Sequence, residues 1–293
     1  MEKNIILPDF ILHSRQNQIW NESGMDSLDK CPDVNHFKNY PHQIVYNYNS
    51  RGFRDAEWPT TIEELQDSIW CVGDSFTVGI GSPVQHTWSN ILQRNTNKRC
   101  INVSMDGASN KWIARKAIDI LQTIRPKLII IQWSYIIRDE LPDTTLRDED
   151  RRLVFYDKIR NFNDVMIDSF KLITNVDAQK NNCEIIHSFV PDSMCLNYAH
   201  IVEVWGHVAD SKWPQIPKNL NEFNCLSKNI ISELHHFKLY ELLSLYYQLK
   251  NNINHIPEIT RLDLSRDGYH YDIITATAFV AQLENLIADL QLT

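Results

Sequence analysis

The sequence predicts an α/β fold: a parallel sheet covered by helices on both faces. Three observations point to it. Short runs that are apolar at nearly every residue recur along the chain, as strands buried on both sides require. Segments with apolar residues at helical spacing alternate with them. Gly73, Pro126 and Pro191 punctuate the pattern.

Ile69-Trp70-Cys71-Val72 reads as the first strand, ending at Gly73. Trp88–Gln93 follows as a short helix and Ile101-Asn102-Val103 as the second strand. Ala108 to Ile124 has apolar residues at 113, 117, 120, 121 and 124, a helix that Pro126 stops. Leu128-Ile129-Ile130-Ile131 is the third strand and Glu184–Phe189 the fourth, closed by Pro191. Between them, residues 144–182 read as a long surface helix. His236–Leu249 is a Leu- and Tyr-rich helix whose Tyr240, Tyr246 and Tyr247 suit a core. Ile259–Leu264 is a weak fifth strand, and Tyr271–Leu290 the last helix. Residues 1–66 are polar and irregular, with scattered aromatics, and read as an N-terminal extension wrapped on the core. Residues 67–293 form the α/β domain.

Hydrophobic residues make up 43% of the 293 positions and charged residues 23%, ordinary globular values. The net charge of −8 argues against a nucleic-acid surface, which needs a Lys/Arg excess. A neutral or sugar-like partner fits better. No run approaches the roughly 20 apolar residues that span a bilayer. The apolar stretches near the N-terminus are broken by Pro8 and Asp9, too short for a signal peptide. A soluble chain, cytoplasmic and without membrane contact, is expected. Six cysteines, at 31, 71, 100, 183, 195 and 225, form no CxxC pair, so neither a disulfide framework nor a zinc site is expected.

In such sheets the ligand sits at the carboxyl ends of the strands. After the first strand comes Gly73-Asp74-Ser75-Phe76-Thr77. A Ser at a strand-to-helix turn presents its hydroxyl beside backbone N–H groups that can hold an anion. Its plainer reading is a helix cap. After the fifth strand comes Asp267-Gly268-Tyr269-His270. A carboxylate three residues before a His can fix the imidazole tautomer and leave the other nitrogen as a base. Its plainer reading is a cap and a surface His. Both motifs falling at strand ends makes the pair more telling than either part.

Gly73–Thr77 resembles the first motif block of the SGNH/GDSL hydrolases, and Asp267–His270 their last. Asn49-Ser50-Arg51-Gly52-Phe53-Arg54, Gly79-Ile80-Gly81 and Thr87-Trp88 resemble segments of one branch of that family. The resemblance covers roughly Tyr48 to the C-terminus. It implies a three-layer α/β/α sandwich of about five parallel strands in flavodoxin-like order. It implies an esterase with a triad of Ser75, His270 and Asp267, and no cofactor or metal. The substrate class it implies is a small acyl ester, often an O-acetyl group on a carbohydrate. It implies an oxyanion hole from the N–H of Ser75, the N–H of Gly107 and a third donor. There the sequence departs: where the family has Gly-x-Asn-Asp, this chain has Gln132-Trp133-Ser134-Tyr135. Ser134 or Asn110 is expected to replace the Asn. Arg138 and Trp133 are candidates for substrate binding, and a surface pair with Glu140 is the alternative for Arg138.

Other signals are weaker. Gly73–Gly81 lacks the Lys-Ser/Thr ending of a phosphate loop. Asp267, His270 and Asp272 lack the further His or Cys that a metal site needs. His235-His236 suits a helix start. Trp205 and Trp213 suit loop anchors better than a carbohydrate cleft. Two rivals to the esterase remain: a carbohydrate- or partner-binding protein with a degenerate site, and an acyltransferase using the same triad.

Overall fold

The computed structural model describes residues 10–12, 15–21, 26–27, 42–135, 138–140, 153–154, 162–191, 221–222, 225, 239–256 and 259–292. Trp205, Trp213 and the His235-His236 pair lie outside the described residues.

The elements are β1 (Ile19–Asn21), β2 (Val45–Asn47), α1 (Ile62–Asp67), β3 (Ile69–Gly73), α2 (Ser75–Val78), α3 (Trp88–Thr96) and β4 (Cys100–Ser104). They continue with α4 (Asn110–Thr123), β5 (Leu128–Trp133), β6 (Asp139–Glu140), β7 (Leu153–Val154), α5 (Phe162–Ala178), β8 (Glu184–Phe189), α6 (Leu239–Asn252) and α7 (Ile273–Asp289). Four parallel strands form the central sheet in the order β4-β3-β5-β8, the expected flavodoxin-like order over its first four positions.

Strand periodicity divides the core into two layers. Trp70 and Val72 of β3, Ile129, Ile131 and Trp133 of β5, and Ile185 and Phe189 of β8 face one apolar cluster with residues of α4, α5 and α6. Ile69 and Cys71, Leu128 and Ile130, and Ile186 face the other, with residues of α3 and α7. Phe10, Leu12, Phe53 and Trp58 join the first cluster. Trp58 meets Phe53 in a stack and Trp70 edge-on, each at 5.3 Å between ring centroids. Tyr246 and Tyr247 are buried in the same cluster.

Helix starts follow local chemistry. Thr61 caps α1 and Ser109 caps α4, each side chain accepting a backbone N–H of the first turn.

Two expectations are corrected. Ile259–Leu264 is not a strand. The backbone N–H groups of Leu262 and Asp263 donate to Thr275 Oγ1 at 2.9 and 3.2 Å, so a side chain satisfies what a ladder would. The fifth sheet position holds a single bridge, His255 beside His187, bracketed by two 2.8 Å backbone bonds. Of the long helix expected over 144–182, the described residues show α5, Phe162–Ala178, while Leu153–Val154 are not helical. Leu153–Val154 pairs instead with Asp139–Glu140 in a small antiparallel ribbon.

The four thiols Cys71, Cys100, Cys183 and Cys225 are free. No helix among the described residues is long and apolar enough to cross a membrane.

Candidate active site

β3 ends at Gly73, where an added Cβ would collide with Thr77 Oγ1. The chain then turns directly into α2. Asp74 caps that helix, its Oδ1 accepting the Phe76 N–H at 3.0 Å. Ser75 is therefore the first helical residue, at the carboxyl edge of the sheet. An N–H in a first helical turn has no partner within its own helix. Among the described residues, the Ser75 N–H meets no acceptor.

The loop before α7 brings the second motif to the same place. His270 Nε2 lies 2.8 Å from Ser75 Oγ, and His270 Nδ1 lies 2.5 Å from Asp267 Oδ2. The other carboxylate oxygen of Asp267 accepts the Ser265 hydroxyl at 2.7 Å and the N–H groups of Tyr269 and His270 at 2.9 and 3.0 Å. Burial alone would raise the Asp267 carboxyl. The hydrogen bond and charge of His270, with the bonds from Ser265 and the Tyr269 N–H, outweigh burial and hold it at about 2.

Two loops lock together around this line. Gly81 has φ +79°, and an added Cβ would meet Ser265 Oγ and lie 2.9 Å from Asp267 Cγ. The Gly81 carbonyl accepts the Arg266 N–H at 3.0 Å, and its N–H donates to Tyr46 Oη at 2.8 Å. Ser82 Oγ and His86 Nδ1 both contact Asp272 Oδ1, at 2.9 and 3.0 Å. The loop after Ser75 is thereby fastened to the segment carrying Asp267 and His270.

Arg54, quoted above only as part of a resemblance, proves central to that loop. It is buried, and its guanidinium donates to the carbonyls of Val78, Gly79 and Ser82 at 3.1, 2.5 and 2.8 Å. It also lies 4.1 Å from the Tyr46 ring centroid. Its partners are backbone carbonyls of a loop distant in sequence, so no local motif flags it.

The remaining candidates divide. Gly107 sits in the turn after β4 with φ +76°, and its N–H has no acceptor among the described residues. Ser134 and Asn110 are both fully enclosed and committed within the fold. Ser134 Oγ donates to Asp74 Oδ2 at 2.5 Å. Asn110 accepts the Ser134 N–H at 2.9 Å and reaches the carbonyls of Ser134 and Tyr135 at 3.3 and 3.4 Å.

Arg138 is buried, at 7% exposure, and places Nη1 3.1 Å from Asp74 Oδ2 and 3.0 Å from Ser134 Oγ. It is no surface residue, so the expectation of a surface pair is corrected. Burial is the largest influence on Asp74 and leaves its carboxyl above the ordinary range. Arg138, the Ser134 hydroxyl, the Phe76 N–H and His270 all pull the other way.

Trp133 does not line the cleft. It faces the helical layer, fully buried, with its indole N–H donating to His187 Nδ1 at 3.0 Å. Its neighbour Gln132 points to the site side, where Thr77 and Tyr271 meet its amide at 3.0 and 3.1 Å. Aromatic rings border the triad instead. Phe76 lies 4.5 Å from the His270 ring centroid, and the Tyr269 hydroxyl donates to Tyr135 Oη at 2.8 Å.

No family model matches the chain, and no curated protein matches it. Among solved structures it is similar to TesA, at 10% identity over 76% of this chain and 99% of that one, with a TM-score of 0.36. It is similar to a GDSL-like lipase from Bacteroides thetaiotaomicron, at 12% identity over 80% and 93%, with a TM-score of 0.40. It is also similar to a family two carbohydrate esterase from Clostridium thermocellum in complex with cellohexaose, at 12% identity over 81% and 66%, with a TM-score of 0.42.

Proposed function

We propose that this chain is a serine esterase that hydrolyses small acyl esters through an acyl-enzyme. The observation that carries the reading is the unbroken line Ser75 Oγ, His270, Asp267, with contacts of 2.8 and 2.5 Å. Ser75 meets a His270–Asp267 pair that lies 195 positions further along the chain, in the order that proton transfer needs.

In this reading His270 Nε2 takes the Ser75 proton as Oγ attacks the ester carbonyl. Asp267 holds Nδ1–H and stabilises the imidazolium. The N–H groups of Ser75 and Gly107 receive the oxyanion. His270 then protonates the leaving alcohol, and a water activated by the same nitrogen releases the acid. The side chains of Ser134 and Asn110 are committed elsewhere, so the hole rests on two backbone donors. A missing donor typically lowers kcat by about 10²–10³, so slow turnover is expected. The favoured substrate is an O-acetyl ester of a neutral or sugar-like alcohol. Tyr269, half exposed beside the base, offers an aromatic edge on the leaving-group side.

The test is hydrolysis of p-nitrophenyl acetate by the wild type, Ser75→Ala and His270→Ala. Loss of activity in both variants is the expected result. Activity surviving both removes the triad. The committed third donor favours one rival, a binding protein on a degenerate site. Labelling of Ser75 by a fluorophosphonate excludes that rival. Product analysis with added sugar acceptors separates hydrolysis from acyl transfer.

A further inference from the structure

Beside the nucleophile lies a buried charge cluster that the triad does not use. Asp74 is fully buried, and so is Ser134, while Arg138 is nearly so. Asp74 Oδ2 receives the Ser134 hydroxyl at 2.5 Å and Arg138 Nη1 at 3.1 Å, and Nη1 also reaches Ser134 Oγ at 3.0 Å. The guanidinium is braced by the Tyr135 ring, 5.2 Å from its centroid. The Arg138 N–H donates to the Tyr135 carbonyl at 3.0 Å.

The position of this cluster gives it consequence. Asp74 immediately precedes Ser75, and its other oxygen fixes the Phe76 N–H. The carboxylate thus sits at the helix start whose free N–H would meet the oxyanion. A buried anion there opposes the negative charge that acyl transfer develops, and the low local dielectric magnifies the opposition. A buried carboxylate without a partner is also unfavourable in itself.

We propose that Arg138 is a positioning residue, acting through Asp74. It neutralises the carboxylate that caps the nucleophile's helix, so that the cap keeps its geometry without setting an anion against the oxyanion. Ser134 occupies the place of the absent Asn as part of this neutralising shell. The proposal rests on the serine-esterase reading above.

The experiment measures kcat and KM on p-nitrophenyl acetate at pH 8 for the wild type, Arg138→Gln, Arg138→Lys and the double variant Asp74→Asn/Arg138→Gln. Asn retains a capping oxygen for the Phe76 N–H but carries no charge. Arg138→Gln is expected to lower kcat roughly 10–100-fold with KM within about threefold. Arg138→Lys recovers part of that loss. The double variant regains about tenfold or more over Arg138→Gln, which a purely structural role for Arg138 would not produce. Unchanged kcat in Arg138→Gln, or a double variant no faster than it, overturns the proposal. Should Arg138→Gln fail to fold, the double variant carries the test, since it leaves no buried charge stranded. A kcat above about a tenth of wild type supports the proposal, and anything lower overturns it. Fluorophosphonate labelling of the same preparations separates the two levels. An unlabelled wild type removes the esterase reading, whereas a labelled wild type with a flat Arg138 series removes only this inference.

Discussion

Gly81→Ala should damage catalysis more than it damages the fold. Gly81 holds φ +79°, and an added Cβ would lie 2.9 Å from Asp267 Cγ and 3.0 Å from its Oδ1. Ordinary carbon contacts are at least 3.4 Å, so the carboxylate must retreat by about half an ångström or more. The left-handed backbone adds about 1–2 kcal/mol against any side chain. Stability should therefore fall by about 1–3 kcal/mol, or roughly 3–10 °C in Tm for a domain of this size. The displaced carboxylate loosens its 2.5 Å bond to His270 Nδ1. A misplacement near 1 Å can lower kcat about 10²-fold, so a drop of roughly 30–100-fold is expected, with little change in KM. Gly79→Ala is the control. Gly79 has φ +77°, but its Cβ would meet Thr87 Cγ2 and, at 3.4 Å, Arg54 Nη1, not the acid. Steady-state kinetics on p-nitrophenyl acetate and thermal unfolding read both variants. Equal kcat losses at similar stability would refute the reasoning, since strain alone would then explain Gly81.

Three further outcomes are expected. The Asp267 carboxyl, held at about 2 against an ordinary 3.8, stabilises the fold above the unfolded value and loses that stabilisation as pH falls through about 2. Asp267→Asn should thus cost about 2 kcal/mol near neutral pH, with the gap to wild type closing in acid; denaturant melts at pH 7 and pH 2 check this. Arg54→Met strands the carbonyls of Val78, Gly79 and Ser82 and should lower stability by about 3–5 kcal/mol, read by urea unfolding. Trp133→Phe removes the indole donor to His187 and should cost about 1–3 kcal/mol with kcat unchanged. A changed KM for a bulky acyl ester would instead return Trp133 to the cleft.

The parts of the molecule legible in sequence are those set by local chemistry. Ser75 follows a buried strand and a capping Asp74, and His270 follows Asp267 by three residues. Both arrangements are written in consecutive positions. The partnerships of Arg54 and Arg138 were not legible, because each spans tens of residues and depends on which carbonyls or carboxylates the fold leaves buried. The misreading of Trp133 has a different source. Leu128–Trp133 lacks polar alternation, so composition alone assigns no face to its last residues. Gln132 was the available signal: a lone polar side chain in an apolar strand must meet a polar partner, and Thr77 and Tyr271 are there. Pairing at the sheet edge was hidden for a related reason. Ile259–Leu264 has strand-like composition, yet Leu262 and Leu264 are exposed, and Thr275 takes the backbone bonds.

The departure at Ser134 changes meaning once its partners are known. Read along the chain, a Ser in place of an Asn looks like a weakened oxyanion donor. In the fold, Ser134 and Arg138 converge on the same Asp74 oxygen. A carboxylate with no exposure to water needs such partners, because burial pushes its proton affinity up. The hydroxyl proton cannot serve both Asp74 and an oxyanion at once. On the proposed reading, Ser134 therefore serves the neutrality of Asp74 and not the oxyanion. On that account, restoring Asn at 134 alone should not restore a third donor. It would remove the hydroxyl from Asp74 while Asn110 still claims the neighbouring backbone N–H and carbonyls. The hole and the charge cluster have to change together.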